Sequence, residues 1–253
     1  MPSEQSLLKA LATVRVATVA QLARIEIKQN LAPETTLRTV RKSLKRLVAF
    51  GLVRQFPNTA NERRIGPPGY VFTLTSLGSR RANRTTAFDT RQRLAWRPKQ
   101  ATLAHWLAIT ELYADLRAVT LADDLTIREF QAEGDAQRHY RDSYGRKQVL
   151  RPDALVRLAV GDRLLSWFVE VDRDTESPRR IADKCRRYRA YELTDLEYRQ
   201  YGVFPGVVFV VPTEHRAQAI RQVIAAQPAD ARGLFWVAVK DEAVQTLIRP
   251  KIP

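Results

Sequence analysis

The sequence has few of the residues that build disulfides, zinc sites or histidine-rich metal centres. Its 253 residues include one cysteine, Cys185, and three histidines that lie far apart. A single cysteine excludes an internal disulfide and favours a reducing compartment. There is no CxxC pair and no glycine-rich loop of the P-loop type, so we expect neither a structural zinc nor ATP-driven work.

Long apolar runs are also missing. Nowhere do about 18 apolar residues follow one another, and Lys9 interrupts the apolar segment near the N-terminus. We therefore expect no signal peptide, no membrane span, no membrane partner and a cytoplasmic location. The hydrophobic content of 45% is nevertheless high enough for a folded core.

Acidic residues are scarce in the first third of the chain. Residues 1–83 contain 14 basic and 4 acidic side chains, so this third carries +10 of the formal net charge of +15. An excess of this size, concentrated in one segment, favours a polyanionic partner. We expect that partner to be double-stranded DNA.

The same third has the pattern of a winged helix-turn-helix domain. Apolar residues recur at helical spacing in three segments, and two short strand-like segments follow. The predicted helices cover residues 3–12, 18–25 and 33–51, and the predicted strands cover residues 52–56 and 70–75. Three helices followed by a two-stranded ribbon are typical of this fold, in which one helix enters the major groove. We assign residues 1–83 to the domain and the basic residues 84–100 to a linker.

The third predicted helix carries a polar and basic face opposite its apolar stripe. Candidate contacts to bases and phosphates on this helix are Thr35, Thr36, Arg38, Thr39, Arg41, Lys42 and Lys45, and Arg63 and Arg64 are candidates in the loop between the strands. Phosphate contacts alone would give affinity without sequence preference. An ordinary solvated face is the alternative. The oligomeric state stays open, because winged helices often act as dimers but no heptad seam marks an interface.

Residues 101–253 alternate between helical and strand-like segments. The predicted elements are a helix over 101–122, a strand over 125–133, a hairpin centred on Gly161-Asp162, a helix over 177–193, a strand over 206–211, a helix over 213–226 and a strand over 233–239. The polar stretch before the hairpin, through Arg146, is predicted to be irregular. This order indicates an α/β domain with a mixed central sheet, and the fold class of the whole chain is α+β.

The hairpin places acidic residues in its strands. A two-residue type II′ turn at Gly161-Asp162 would set Asp153 opposite Glu170, with Asp172 on the same face. Opposed like charges destabilise a sheet, and Mg²⁺ or Mn²⁺ held by Asp153 and Glu170 would resolve the conflict. The alternative is a structural network of ion pairs, for which Arg151 is a candidate partner of Asp172.

These residues carry a resemblance to a known family. "RPD", then "FVEVDRDTE", then "KCRRYRAY" resembles the PD-(D/E)xK nuclease fold. More closely, the chain resembles the replication-relaxation family of plasmids and other mobile elements, which joins a winged helix to a domain with a "PDA…EVDRGTE…K…Y" signature. The resemblance implies a restriction-endonuclease-like domain over 101–253 and a role in replication, DNA relaxation or transfer.

Within the nuclease pattern, the resemblance assigns catalytic roles by position. Asp153 and Glu170 match the two acids, and Asp172 stands where the pattern has its lysine. Lys184, on the following helix, is the candidate that would supply the missing positive charge near the scissile phosphate. Tyr188 lies four residues further on, on the same helical face, and would stack on DNA, contact a phosphate or pack on the sheet.

Two functions from different classes follow. The first is a DNA-binding replication or transfer factor whose nuclease-like domain has lost its chemistry and docks a relaxase or replication protein. The second is an active metal-dependent endonuclease or nickase, in which Glu111 is a candidate for an additional acid. A winged-helix transcriptional regulator is a further alternative.

Overall fold

The structure is a computed structural model that describes residues 3–26, 32–60, 69–82, 99–120 and 125–250. These residues form a mixed α+β structure with ten α-helices and ten strands. Contacts divide the chain into two compact units, Met1–Asp124 and Leu125–Pro253. Within the described ranges, no helix is long and apolar enough to cross a membrane.

The described residues of the first unit form five helices and three strands. They are α1 (Glu4–Val14), β1 (Val16–Thr18), α2 (Val19–Ile25), α3 (Pro33–Ala49), β2 (Val53–Pro57), β3 (Tyr70–Leu74), α4 (Ser76–Arg81) and α5 (Gln100–Val119). The strands form an antiparallel sheet in the order β1-β3-β2. The three predicted helices and two predicted strands are confirmed, while β1 and α4 were not predicted because each is too short for a periodic pattern.

Local sequence signals explain where the helices of this unit begin. The hydroxyl of Ser3 accepts a hydrogen bond from the Ser6 amide at 3.0 Å, and that of Thr18 accepts one from Gln21 at 3.2 Å. Both bonds satisfy an amide that has no partner inside the helix. Helix α3 begins instead with a proline, Pro33, at its first position, where the missing N–H costs nothing.

Helix α3 is amphipathic, and its apolar stripe is buried in the core of the first unit. Val40, Leu44 and Leu47 are each at most 1% exposed. The core residues around them come from α1, α2, α3, α5 and the sheet, and include Leu7, Leu11, Leu22, Val53, Phe72 and Ala114. Burial of one stripe leaves the opposite side of α3 facing water.

Helix α5 belongs to the first unit, which differs from the predicted boundaries at residues 83 and 101. The reason is its packing on α2: Arg24 forms ion pairs with Glu111 and Asp115, and Gln21 Nε2 donates to Glu111 at 2.8 Å. Leu103 packs in a small apolar cluster with residues of β1 and β3. Helical periodicity in the sequence shows that a helix exists but not which core receives it. The predicted linker falls almost entirely on residues outside the described ranges.

The second unit contains a five-stranded mixed sheet. Its strands are β4 (Leu125–Ala132), β7 (Ala154–Val160), β8 (Arg163–Val171), β9 (Gly206–Val211) and β10 (Phe235–Val239), in the spatial order β10-β9-β8-β7-β4. The first three pairs in that order run parallel, parallel and antiparallel, and β4 is antiparallel to β7. The predicted mixed sheet is therefore confirmed.

The predicted irregular stretch is partly wrong. Residues 138–150 contain a two-stranded antiparallel sheet formed by β5 (Arg138–Arg141) and β6 (Lys147–Leu150). Its strands are short and mostly polar, so they lack the apolar alternation that marks a strand in the sequence. Asp142 closes the turn by accepting hydrogen bonds from the backbone amides of Tyr144 and Arg146, both at 3.0 Å.

Helices cover the sheet of the second unit on both faces. They are α6 (Pro178–Glu192), α7 (Leu196–Tyr201), α8 (Glu214–Ala225), α9 (Ala229–Arg232) and α10 (Ala243–Ile248). One face of the sheet, with Phe168 and Phe209, packs against α6 and α8. The other face, with Trp167, meets α10, where the indole donates to the Leu247 carbonyl at 3.0 Å. Glu170 lies two residues beyond Phe168 and so belongs to the α6 face.

Candidate functional site

The predicted hairpin register is confirmed and fixes the position of Asp153. Val160 pairs with Arg163, and Ala154 pairs with Val169. Gly161 has a φ of +54°, as the first central residue of a type II′ turn requires. Asp153 comes directly before β7 and is opposite Glu170 in this register. Its amide donates to the Val169 carbonyl at 3.0 Å.

The carboxylate of Asp153 is held against the end of β8. Its Oδ2 accepts a hydrogen bond from the backbone amide of Val171 at 2.7 Å. Because Val171 follows Glu170, this bond fixes the Asp153 carboxylate beside the neighbouring acid. The structure therefore brings together the two acids that the sequence predicted as a pair.

Glu170 is the centre of a buried polar cluster that we call the acid–lysine site, formed by Asp153, Glu170, Glu176, Lys184 and Tyr188. The Glu170 side chain is 2% exposed. Its Oε2 accepts a hydrogen bond from Lys184 Nζ at 2.7 Å, and its Oε1 accepts one from the Tyr188 hydroxyl at 2.5 Å. Both donors project from α6, four residues apart, and so face β8 together.

The start of α6 sets the orientation of these donors. Ser177 caps the helix by accepting a hydrogen bond from the Arg180 amide at 3.4 Å, and Pro178 occupies the first turn. The segment between β8 and α6 also supplies Glu176, whose Oε2 lies 2.9 Å from Lys184 Nζ. Glu176 was not among the predicted site residues, although it is the last residue of the "EVDRDTE" segment. Lys184 thus bridges two carboxylates.

Burial and like charge shift the pKa values in the acid–lysine site. Burial, followed by the charge of Asp153, raises the pKa of Glu170 to about 7, and Lys184 and Tyr188 only partly oppose this shift. Burial lowers the pKa of Lys184, but the charges of Glu170 and Asp153 outweigh that effect and the net pKa is raised. Burial also raises the pKa of Tyr188. Lys184 is therefore held in its charged form near neutral pH.

Asp172 is directed to a different partner. It is 4% exposed and forms an ion pair with the buried Arg216 of α8. Arg216 also donates to the Glu176 carbonyl at 2.7 Å, and the Asp174 amide donates to Asp172 at 3.0 Å. The sequence grouped Asp172 with the catalytic candidates and named Arg151 as its possible partner. The structure gives it an arginine that lies 44 residues away along the chain.

The other predicted acid, Glu111, lies in the first unit. Its carboxylate binds Gln21 and Arg24 on α2. This is a structural role, because the contacts join α5 to α2. The contacts of Glu111 described here are with residues of the first unit, and not with Asp153 or Glu170.

The predicted DNA-contact residues of α3 fall mainly on its exposed side. Thr35, Arg38, Arg41, Lys42 and Lys45 are exposed, and we call these five residues the α3 face. Within the parts of the chain that the structure describes, no carboxylate forms an ion pair with its four basic members, whereas the neighbouring Arg46 binds Glu4 at 3.1 Å. Arg63 and Arg64 lie outside the described residues.

Two of the predicted DNA-contact residues of α3, both threonines, are less exposed than the others. Thr36 is 1% exposed, so its place among the DNA contacts is wrong. Its hydroxyl donates to the Ala32 carbonyl at 3.3 Å, which satisfies the buried group. Thr39 is partly buried, and its hydroxyl donates to the Thr35 carbonyl at 2.9 Å. Thr36 lies four residues before Val40 and so on the buried, apolar side of the helix, which helical spacing in the sequence already indicated.

Comparison with known proteins identifies the class to which this chain belongs. The family model described as Replication-relaxation matches residues 8–207, which include both the α3 face and the acid–lysine site. The chain is a member of the replication-relaxation family. No curated protein and no solved structure matches it significantly.

Proposed function

We propose that this protein binds duplex DNA and acts in the replication, relaxation or transfer of a plasmid or another mobile element. The observation that carries this proposal is the α3 face, where four exposed basic side chains lie on one side of one helix. In water, unpaired arginine and lysine side chains attract phosphates and release the counterions bound to them. Membership of the family adds the biological setting.

The fold of the first unit supports DNA binding by a winged helix. Helices α1 to α3 are followed by the strands β2 and β3, which pair in antiparallel fashion. In a winged helix, the third helix enters the major groove and the hairpin contacts the flanking backbone. In this proposal, Arg38 and Lys42 contact bases or phosphates, and Arg63 and Arg64, which lie outside the described residues, also bind phosphates or the minor groove.

A salt titration tests the role of the α3 face. Fluorescence anisotropy with a labelled duplex gives the affinity of the wild type and of Arg38→Ala/Lys42→Ala. Loss of two phosphate contacts should lower the slope of log affinity against log salt by about 2, and the affinity at 0.1 M salt should fall by at least about tenfold. The matched control is Lys9→Ala/Arg80→Ala, which removes two exposed charges from α1 and α4. Equal slopes for the two double variants would reject DNA binding by α3.

A second candidate function is metal-dependent cleavage of DNA, favoured by the contact between Lys184 and Glu170. The carboxylates of Asp153 and Glu170 are hard oxygen ligands of the type that Mg²⁺ and Mn²⁺ bind, and these two residues would hold the ion. A bound divalent cation supplies positive charge that activates water and stabilises a phosphoryl group. Lys184 would then add positive charge beside the phosphate.

The same contacts also explain how the chemistry would be lost. Both carboxylate oxygens of Glu170 accept hydrogen bonds, from Lys184 and Tyr188, and Lys184 is further held by Glu176. A cation would have to share Glu170 with these donors. If the cluster is only structural, the second unit would act as a docking surface for a relaxase or replication protein.

Incubation of supercoiled DNA with Mg²⁺ or Mn²⁺ separates the two functions. An active nuclease should nick or linearise the plasmid, and Asp153→Ala, Glu170→Ala and Lys184→Met should each lose that activity. Arg163→Ala, an exposed position on the hairpin of the same unit, is the matched control. Wild-type activity no higher than that of the three site variants would reject the enzyme and leave the DNA-binding function in place.

A further inference from the structure

The outward side of α6 carries a row of arginines. Arg179, Arg180, Arg186 and Arg187 are all exposed, while Ile181, Cys185, Tyr188 and Tyr191 are buried. The four arginines form two pairs seven residues apart, which places the pairs about 10.5 Å from each other along the helix axis. Lys184 lies beside this exposed side, four residues after Arg180, and both Lys184 and Tyr188 reach Glu170.

The charge of the second unit is concentrated in this one helix. Residues 125–253 contain 22 basic and 18 acidic side chains, a net charge of +4. Helix α6 alone contains 6 basic and 2 acidic side chains, also +4. The remainder of the unit, with 16 of each sign, is neutral. A basic composition spread evenly over the surface would not give this distribution.

Three of the arginines have no acidic partner among the residues that the structure describes. Arg186 forms an ion pair with Asp183, on the same side of the helix. By contrast, no carboxylate in the described ranges forms an ion pair with Arg179, Arg180 or Arg187. Four other arginines of this unit, Arg138, Arg157 and Arg216 outside α6 and Arg189 within it, are engaged by acidic side chains.

We infer that the outward side of α6, through Arg179, Arg180 and Arg187, is a second binding surface for the phosphate backbone of duplex DNA. Guanidinium groups are suited to phosphates because their N–H donors match two phosphate oxygens at once. The three side chains span more than two helical turns, with Arg180 and Arg187 nearly in line along the axis and Arg179 about 100° around the helix from Arg180. A run of phosphates fits such an exposed band, whereas a single small anion would need only one pair of arginines.

The position of this surface on α6 would bring bound DNA close to the acid–lysine site. Because α6 also carries Lys184 and Tyr188, DNA bound to its outward side would lie on the same helix that supports the acid–lysine site. The inference rests on the proposed function only in taking DNA as the ligand. It requires neither DNA cleavage nor DNA binding by the α3 face, so an experiment can reject either of these and leave the inference about α6 in place.

The test measures duplex binding by the full-length protein across a salt series. The variant Arg179→Gln/Arg180→Gln/Arg187→Gln removes three charges from exposed positions. If all three contact phosphates, the salt slope should fall by about 2 to 3 and the affinity at 0.1 M salt by at least about tenfold. The matched control, Arg163→Gln/Arg221→Gln/Arg249→Gln, removes three exposed charges outside α6 and should bind within about twofold of the wild type.

A variant that keeps the three positive charges distinguishes loss of charge from loss of the fold. Arg179→Lys/Arg180→Lys/Arg187→Lys should keep most of the salt slope, because a lysine still neutralises a phosphate. Thermal melting of each variant checks that the fold is intact. If the lysine variant loses as much slope as the glutamine variant, the surface is not a phosphate contact.

The pattern across variants separates this inference from the proposed function. If the α6 variant binds duplex like its control while the α3 double variant binds weakly, the inference is overturned and the proposed function stands. Weak binding by both supports both, and weak binding by the α6 variant alone supports the inference and overturns the role of α3. Wild-type binding by both overturns both. A loss seen with single-stranded but not duplex DNA rejects the duplex as ligand.

Discussion

The buried carboxyl of Glu170 should make the stability of the protein fall as the pH rises towards neutrality. Its pKa is raised from 4.5 to about 7 in the folded protein, first by burial and then by the charge of Asp153. Between these two values the folded state binds more protons than the unfolded state. The free energy of unfolding therefore decreases with rising pH across this window and is unaffected by this group below it.

The magnitude follows from the size of the pKa shift. A rise of the pKa from 4.5 to about 7 corresponds to about 3–4 kcal/mol, since each pKa unit is worth about 1.4 kcal/mol. Other groups also titrate in this range, so the contribution of Glu170 is the difference between the wild type and Glu170→Gln. Urea unfolding at pH values from 4.5 to 8, in buffer with a chelator, measures the free energy of unfolding of both proteins.

Variants of the neighbouring charges should change this pH dependence in opposite directions. Asp153→Asn removes the like charge, so the pKa of Glu170 should fall and the pH dependence should weaken. Lys184→Met removes a favourable charge, so the pKa of Glu170 should rise and the loss of stability should extend above pH 7. If Glu170→Gln shows the same pH dependence as the wild type, the buried carboxyl is not the source and the reasoning fails.

Three further predictions concern packing and surface. Arg216→Ala leaves Asp172 buried without its cation and should lower the free energy of unfolding by about 3–5 kcal/mol. The double variant Arg216→Ala/Asp172→Ala should recover part of this loss. Denaturant midpoints measure the stability of the two variants, and a double variant no more stable than Arg216→Ala would contradict the pairing. Gly78→Ala would place its Cβ 1.9 Å from the Leu52 carbonyl oxygen and should destabilise the fold by about 1–3 kcal/mol; a melting temperature equal to that of the wild type would contradict this. Thr36→Val should bind duplex DNA within about twofold of the wild type, because this side chain is buried. A larger loss of affinity in an anisotropy titration would show that Thr36 contributes to DNA binding.

The hairpin register was predictable because it depends on short-range rules. A two-residue turn with glycine first fixes which residues pair, and alternation then fixes the face of every side chain. The pairing of Val160 with Arg163 followed from the turn, and the position of Asp153 opposite Glu170 followed from that pairing. The same logic placed Tyr188 beside Lys184, since residues four apart share a helical face.

Long-range contacts were not predictable in the same way. Nothing in the sequence indicates that Arg216 rather than Arg151 neutralises Asp172, because the choice depends on how α8 packs on the sheet. The same limit applies to α5, whose apolar residues fit a helix in either unit. Thr36 is a different case, because its spacing of four residues from Val40 already places it on the apolar side of α3.

The attachment of α5 to α2 has a practical consequence for isolating the N-terminal module. A fragment ending at residue 83 would remove the helix that supplies Ala114 to the main core and Leu103 to the cluster beside β1 and β3. It would also leave Arg24 and Gln21 without their acidic partner on α5. A fragment that retains residues up to 120 keeps these contacts, and is the piece in which the proposed binding to DNA can be tested without the rest of the chain.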